Sequence, residues 1–202
     1  MPPRKTPGTS SETLRVMIVD SDPERSRNLR GALTLAGYHV VAELRESIAL
    51  PDAVQSLKPH IVIVAADSPD RDTLEHISLT TRNAPRPVIM FTQDGGADTI
   101  RAAVKAGVSA YVVDGLSPER IRPILEVACA RFEAHQALTE RLAEAERRLA
   151  ERTAVERAKG LLMQRRGLSE EAAYRELRRL AMQTGKRLGE VAETLLAAAH
   201  LL

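Results

Sequence analysis

Pro59-His-Ile-Val-Ile-Val-Ala65 is an unbroken apolar run closed by a small residue. Every position from Ile61 to Val64 is β-branched. No polar face remains, so the segment reads as a strand buried on both sides, as a central strand of a parallel sheet must be. Outward from it, Leu14–Val19, Tyr38–Ala42, Pro87–Thr92 and Val108–Val113 repeat the pattern in weaker form. Helices are predicted between these runs. One is opened by Asp22 as cap and Pro23 in the first turn, carries Leu29, Leu33 and Ala36 as its stripe, and stops at Gly37. Others are predicted near 51–57, 70–83 and 97–106. Five strands alternating with helices imply an α/β, doubly wound, flavodoxin-like domain whose parallel sheet is covered on both faces.

In such a sheet the functional crevice lies beyond the carboxyl ends of the strands, where strand order reverses. Asp20-Ser21-Asp22, Ala65-Ala66-Asp67, Thr92-Gln93-Asp94 and Asp114-Gly115 fall there. Over roughly residues 14–130 this pattern resembles the receiver domain of two-component regulators. The resemblance implies an acidic pair after the first strand to hold a divalent cation, and a phospho-accepting Asp after the third. It also implies a Ser or Thr after the fourth and a Lys after the fifth. Here Asp20 remains, Ser21 stands where the second acid belongs, Ala65 takes the acceptor position, Thr92 remains, and Asp114 replaces the Lys.

A methyl group cannot attack a phosphoryl group. Asp in place of Lys removes a cation that would pair with phosphate and adds a repulsive charge. The set therefore reads as a pseudo-receiver used as a protein-binding scaffold, with Asp20 and Thr92 serving local hydrogen bonds. Asp67, two residues past the strand end, is the alternative phosphorylation site, but its side chain is expected to point elsewhere. No cofactor is expected, and bound magnesium is doubtful with this acid set.

Ser117-Pro118-Glu119 opens a further helix, with Ser117 as cap and Pro118 at the first position. Ile121, Leu125, Ala128, Phe132, His135, Leu138, Leu142, Ala145 and Leu149 recur at nearly heptad spacing, with one slip around His135. One helix of more than forty residues is expected. Its far half cannot bury this seam in the receiver, so a homodimeric coiled coil is expected. Folding back on its own chain is the alternative.

The long helix continues to about Gly167, Ser169 caps the next, and Gly185 ends that one. A third is expected from about Arg187 to His200, with Leu188, Val191, Leu195, Ala198 and Leu202 as its stripe. On the middle helix Ala173, Leu177, Leu180 and Ala181 form the apolar face, while Arg175, Arg178 and Arg179 share another side. Residues 157–187 hold nine basic and three acidic side chains, a local +6 in a chain of net +2. A basic end on an acidic body suits an anionic partner. A solvated helical surface is the bland alternative.

Ala158-Lys159-Gly160, Leu162-Met163, Gly167-Leu168-Ser169, Ala173-Tyr174, Leu177-Arg178 and Leu180-Ala181-Met182 resemble the ANTAR module of bacterial antiterminators. That family binds paired hairpins in leader transcripts and prevents terminator formation. The resemblance implies RNA contact by Lys159, Arg165, Arg166, Arg178 and Arg179. Tyr174, the module's one aromatic residue, is either a stacking surface or a core anchor. Residues 68–76, 90–95 and 106–115 are similar to NasT-like members of the AmiR/NasR family. This implies control of nitrate or nitrite assimilation by a nitrate/nitrite-sensing protein that restrains the regulator.

The expected organisation is a disordered tail over 1–12, a pseudo-receiver over 13–130, a coiled-coil linker over 131–155 and an ANTAR domain over 156–202. Cys129, the single cysteine, leaves no disulfide framework or cysteine metal cluster and is read as a packing residue. No apolar run is long enough to cross a membrane, and the Pro/Ser/Thr-rich opening lacks the apolar core of a signal peptide. A cytoplasmic location is expected. Without a metal cluster, nucleophile–base pair or phosphate loop in the sequence, an enzyme is not expected. Two other functions remain open here: a phosphorylation-switched response regulator, and a DNA-binding activator using the basic bundle as a helix-turn-helix.

Overall fold

The computed structural model describes residues 13–114 and 118–199. The expected tail over 1–12, Gly115, the Ser117 cap, the expected end of the third helix at His200 and its last stripe residue Leu202 lie outside the described residues. Five parallel strands form one sheet: β1 (Arg15–Asp20), β2 (His39–Leu44), β3 (Ile61–Ala65), β4 (Val88–Thr92) and β5 (Ala110–Val113), in the order β2-β1-β3-β4-β5. Helices α1 (Pro23–Leu35), α2 (Leu50–Leu57), α3 (Arg71–Asn83) and α4 (Ala97–Lys105) make the crossovers.

The buried strand residues sort by parity, as the two-residue period of a strand requires. Val16, Ile18, Ile61, Ile63, Ile89 and Phe91 pack with α1 side chains and with Ile121, Leu125 and Ala128. Met17, Val19, Val62, Val64, Val88 and Met90 pack on the opposite face with Leu50, Val54, Ile77 and Ala103. The doubly covered parallel sheet expected from Ile61–Val64 is therefore present. β2 runs two residues further than expected, and a short 3-10 turn at Ser47–Ala49 precedes α2.

Asp22 caps α1 by accepting from the backbone N–H of Glu24 at 2.8 Å and of Arg25 at 3.3 Å. These N–H donors hold its carboxyl below the usual range. Gly37 follows in a left-handed conformation, φ +89°, that a side chain would strain.

The chain divides into two units between His135 and Gln136. The helix α5 (Pro118–Arg166), 49 residues long, contributes to both. In the C-terminal unit it packs with α6 (Glu170–Thr184) and α7 (Leu188–Ala199). Ala154, Ala158, Leu162, Ala173, Leu177, Val191 and Ala192 form the buried core of that small bundle. Ser169 caps α6 through its hydroxyl, and Gly185 ends it at φ +64°. Gly189 marks the close approach of α7 to α5, where an added Cβ would lie 2.8 Å from Glu151 Cγ.

Candidate functional site

Strand order reverses between β1 and β3, so their carboxyl ends open the crevice. Asp20 and Ala65 end these strands side by side in register. The Asp20 side chain is fully buried. Its Oδ1 accepts the Asp22 N–H at 2.9 Å. Arg25, in the first turn of α1, reaches back over it: Nε lies 3.1 and 3.0 Å from the two carboxylate oxygens, and Nη2 lies 2.8 Å from Oδ1. Nη1 pairs with the Asp67 carboxylate. These hydrogen bonds, Asp20's first, hold the guanidinium pKa above its usual value.

The expectation that Asp67 points away from the crevice is not met. The loop after β3 is turned back because the Asp67 carbonyl accepts from Thr92 Oγ1 at 2.9 Å and from Gln93 N at 3.1 Å. Its carboxylate consequently meets Arg25. Thr92 also accepts the Asp94 N–H at 3.1 Å, so both of the surviving receiver residues, Asp20 and Thr92, are engaged in local bonds. Asp94 in turn accepts from Gly96 N, Ser68 Oγ and Thr99 Oγ1, which hold its carboxyl low. Ser21 is exposed at the mouth, and Asp114 is exposed after β5 in a left-handed conformation, φ +50°.

In the C-terminal unit the six nominated residues separate into two kinds. Lys159 is only 8% exposed, and its ammonium lies 2.7 Å from Glu170 and 2.9 Å from Glu156. Glu170 first, then Glu156, hold its pKa above the usual lysine value, and Lys159 holds that of Glu170 low. Arg166 and Arg179 share Glu176, at 3.7 and 2.6 Å. Arg165 donates to the Ala199 carbonyl at 3.2 Å. Arg178 forms no ion pair among the described residues and is exposed. Tyr174, one helical turn before it, is 42% exposed, so it is no core anchor.

Two family models match in chain order: the response regulator receiver domain over residues 16–126 and the ANTAR domain over 143–196. The chain belongs to the response regulators that join a receiver to an ANTAR domain. This receiver–ANTAR chain is 31% identical over 182 residues to the transcriptional regulatory protein PdtaR of Mycobacterium tuberculosis, spanning 90% of this chain and 89% of that one. It is 25% identical over 118 residues to the chemotaxis protein CheY1 of Helicobacter pylori, 56% of this chain and 95% of the relative. Among solved structures, the signal receiver domain of a modulated diguanylate cyclase from Desulfovibrio desulfuricans superposes with a TM-score of 0.55 at 18% identity, covering 61% of this chain and 99% of that one. That last likeness is one of fold alone. Both matched families are regulatory domains.

Arg25 is the residue of this receiver–ANTAR protein that sequence reading missed. The available signal was an Arg five residues after the strand-ending acid, in a chain lacking the second acid and the acceptor. The i,i+3 pairs Glu156–Lys159 and Glu176–Arg179 had a local signal, but the Lys159–Glu170 and Arg166–Glu176 pairs had none, because they depend on how α6 meets α5.

Proposed function

We propose that this receiver–ANTAR regulator binds hairpins in leader transcripts through the outward face of α6 and so prevents terminator formation. The observation that carries the reading is the pair Tyr174 and Arg178, exposed one turn apart on α6, within a segment whose residues 157–187 carry a local +6. Sequence-selective RNA binding uses unpaired loop bases stacked on aromatic rings or guanidinium planes, and this pair supplies one of each. Arg175 beside it, and Lys186 and Arg187 just past the end of α6, add positive charge for phosphate. Arg166 and Arg179 remain candidates, since exposed ion pairs of this kind exchange partners at little cost, and so does the exposed Arg165, held only by one hydrogen bond to a carbonyl. Lys159 acts indirectly, by fixing the start of α6.

Control in this reading comes from a sensor protein that restrains the pseudo-receiver. Ala65 at the acceptor position supports partner control over phosphoryl transfer. The assignment to nitrate or nitrite assimilation is supported by the resemblance of residues 68–76, 90–95 and 106–115 to NasT-like regulators. The exposed Leu138, Leu142 and Leu149 support pairing of two copies along α5.

The decisive experiment is competition between a two-hairpin leader RNA and a duplex DNA of the same sequence for the full-length protein at one stated salt concentration. Selective retention of RNA is expected; equal retention of both overturns the RNA reading. Incubation with acetyl phosphate followed by intact-mass measurement should show no adduct. An adduct on any Asp would restore the phosphorylation-switched reading.

A further inference from the structure

The crevice of the receiver carries a consequence independent of RNA binding. Asp20 is a buried carboxylate at the end of β1, and Asp67 is a second carboxylate on the loop after β3. Two carboxylates facing one gap repel unless a cation lies between them. In this chain the gap is filled from within, by the Arg25 guanidinium, with Nε and Nη2 on Asp20 and Nη1 on Asp67.

With Arg25 seated there, the residues around it do not fit a divalent metal. Magnesium requires about six oxygen donors near 2.0–2.1 Å in an octahedral arrangement. Asp20 is already committed to Arg25 and to the Asp22 N–H, and Ala65 beside it offers only a methyl. Ser21 stands exposed in place of a second acid. Among the described residues no group of three or more His, Cys, Asp or Glu side chains is arranged to hold a metal ion.

We propose that the Arg25 guanidinium is a built-in replacement for a divalent cation, bridging Asp20 and Asp67 and making this receiver metal-independent. The bridge reaches further than two acids. The Asp67 carbonyl accepts from Thr92 Oγ1 and Gln93 N, so one guanidinium ties the ends of β1, β3 and β4 together. A metal held there would be exchangeable and would respond to conditions; a side chain on α1 is neither. The clamp thus keeps the strand ends in one arrangement, with the Thr92 hydroxyl occupied. It also places a planar, forked donor against Asp20, a geometry the point charge of Lys would not reproduce.

The test uses the full-length protein, followed by circular dichroism because the chain has no Trp. Melting temperature is measured in chelator and in millimolar MgCl2 or MnCl2. The wild type should melt at the same temperature in all three. Arg25→Ala should melt roughly 5–10 °C lower in chelator and regain part of that loss with Mn2+, because its emptied carboxylates now face an open cation seat. Arg25→Lys, which retains a positive charge and the fold, should melt between the two and stay unresponsive to metal. A wild type stabilised by either metal would overturn the proposal. So would an Arg25→Ala variant that melts as the wild type does, or one that loses stability but recovers none of it with Mn2+.

Discussion

The two parts of α5 carry one apolar spacing and meet opposite fates. Ile121, Leu125 and Ala128 are fully buried against the sheet. Leu138, Leu142 and Leu149 continue the same spacing and are 63%, 61% and 67% exposed. Periodicity therefore says that a helix has a seam and leaves open what covers it. In the first part the cover is the receiver's own sheet. In the second the receiver's sheet covers none of these three, and in the proposed pairing a second copy supplies an identical seam.

The sharpest way to break this comparison is to cut both parts of the stripe. Leu125→Ala should destabilise the receiver unit by about 2–5 kcal/mol, the range for a buried Leu replaced by Ala, read from urea unfolding of the full chain. A cost below about 1 kcal/mol would mean the site is far less well packed than its complete burial indicates. If two copies pair along α5 as proposed, the wild type sediments as a dimer, and the double variant Leu138→Glu/Leu142→Glu should sediment as a monomer while leaving the receiver's urea midpoint where it is. A dimer that survives both charges would put the interface elsewhere on the molecule.

A second contrast sets the enclosed cation Lys159 against the exposed Arg178, which forms no ion pair among the described residues. Arg178→Ala should lower affinity for hairpin RNA about tenfold and reduce the salt slope by roughly 1, as loss of one direct contact does, while melting stays unchanged. Lys159→Gln should lower the melting temperature of the C-terminal unit and weaken RNA binding only as that unit loosens. If Lys159→Gln reduced affinity with melting untouched, Lys159 would be a direct contact after all.

The legible and illegible parts of the chain divide along the range of the interactions. Ile61–Val64 announced a doubly buried strand because burial on both faces is a local demand on each residue. Asp22, Ser169 and Gly185 announced helix ends because caps are satisfied within a few residues. The loss at Ala65 was legible through the resemblance to receivers, which implies an acceptor Asp at the end of the third strand. The edge strand β2 was harder: it is only partly buried, and its register with β1 shifts between Val16 and Met17. The Arg25 bridge joins residues 42 apart through a loop whose turn is set by Thr92, so no local pattern reveals it. Charge counting over 157–187 likewise located a basic surface without telling Lys159, drawn inward by two carboxylates, from Arg178, left outside.

The smallest effect expected comes from pH, and it separates the two clamps. Lys159 has its pKa raised above its ordinary 10.5, so its contribution is complete below that value and fades as pH rises through the raised one. Glu170 has its pKa lowered below its ordinary 4.5, so its contribution is complete above that value and fades as pH falls through the lowered one. The Lys159–Glu170 contact is accordingly whole between about pH 4.5 and 10.5 and weakens on both sides of that window. Arg25, whose pKa is raised from an already high value, remains charged across the alkaline limb. Glu170 is well exposed and solvent screens the pair, so the shift in melting temperature should be small. The difference in melting temperature between the wild type and Glu170→Gln should be constant through neutral pH and close as pH falls below 4.5. A difference that persists unchanged into acid would show that Glu170 acts through packing or as a first-turn helix charge, and that the pairing with Lys159 contributes nothing measurable.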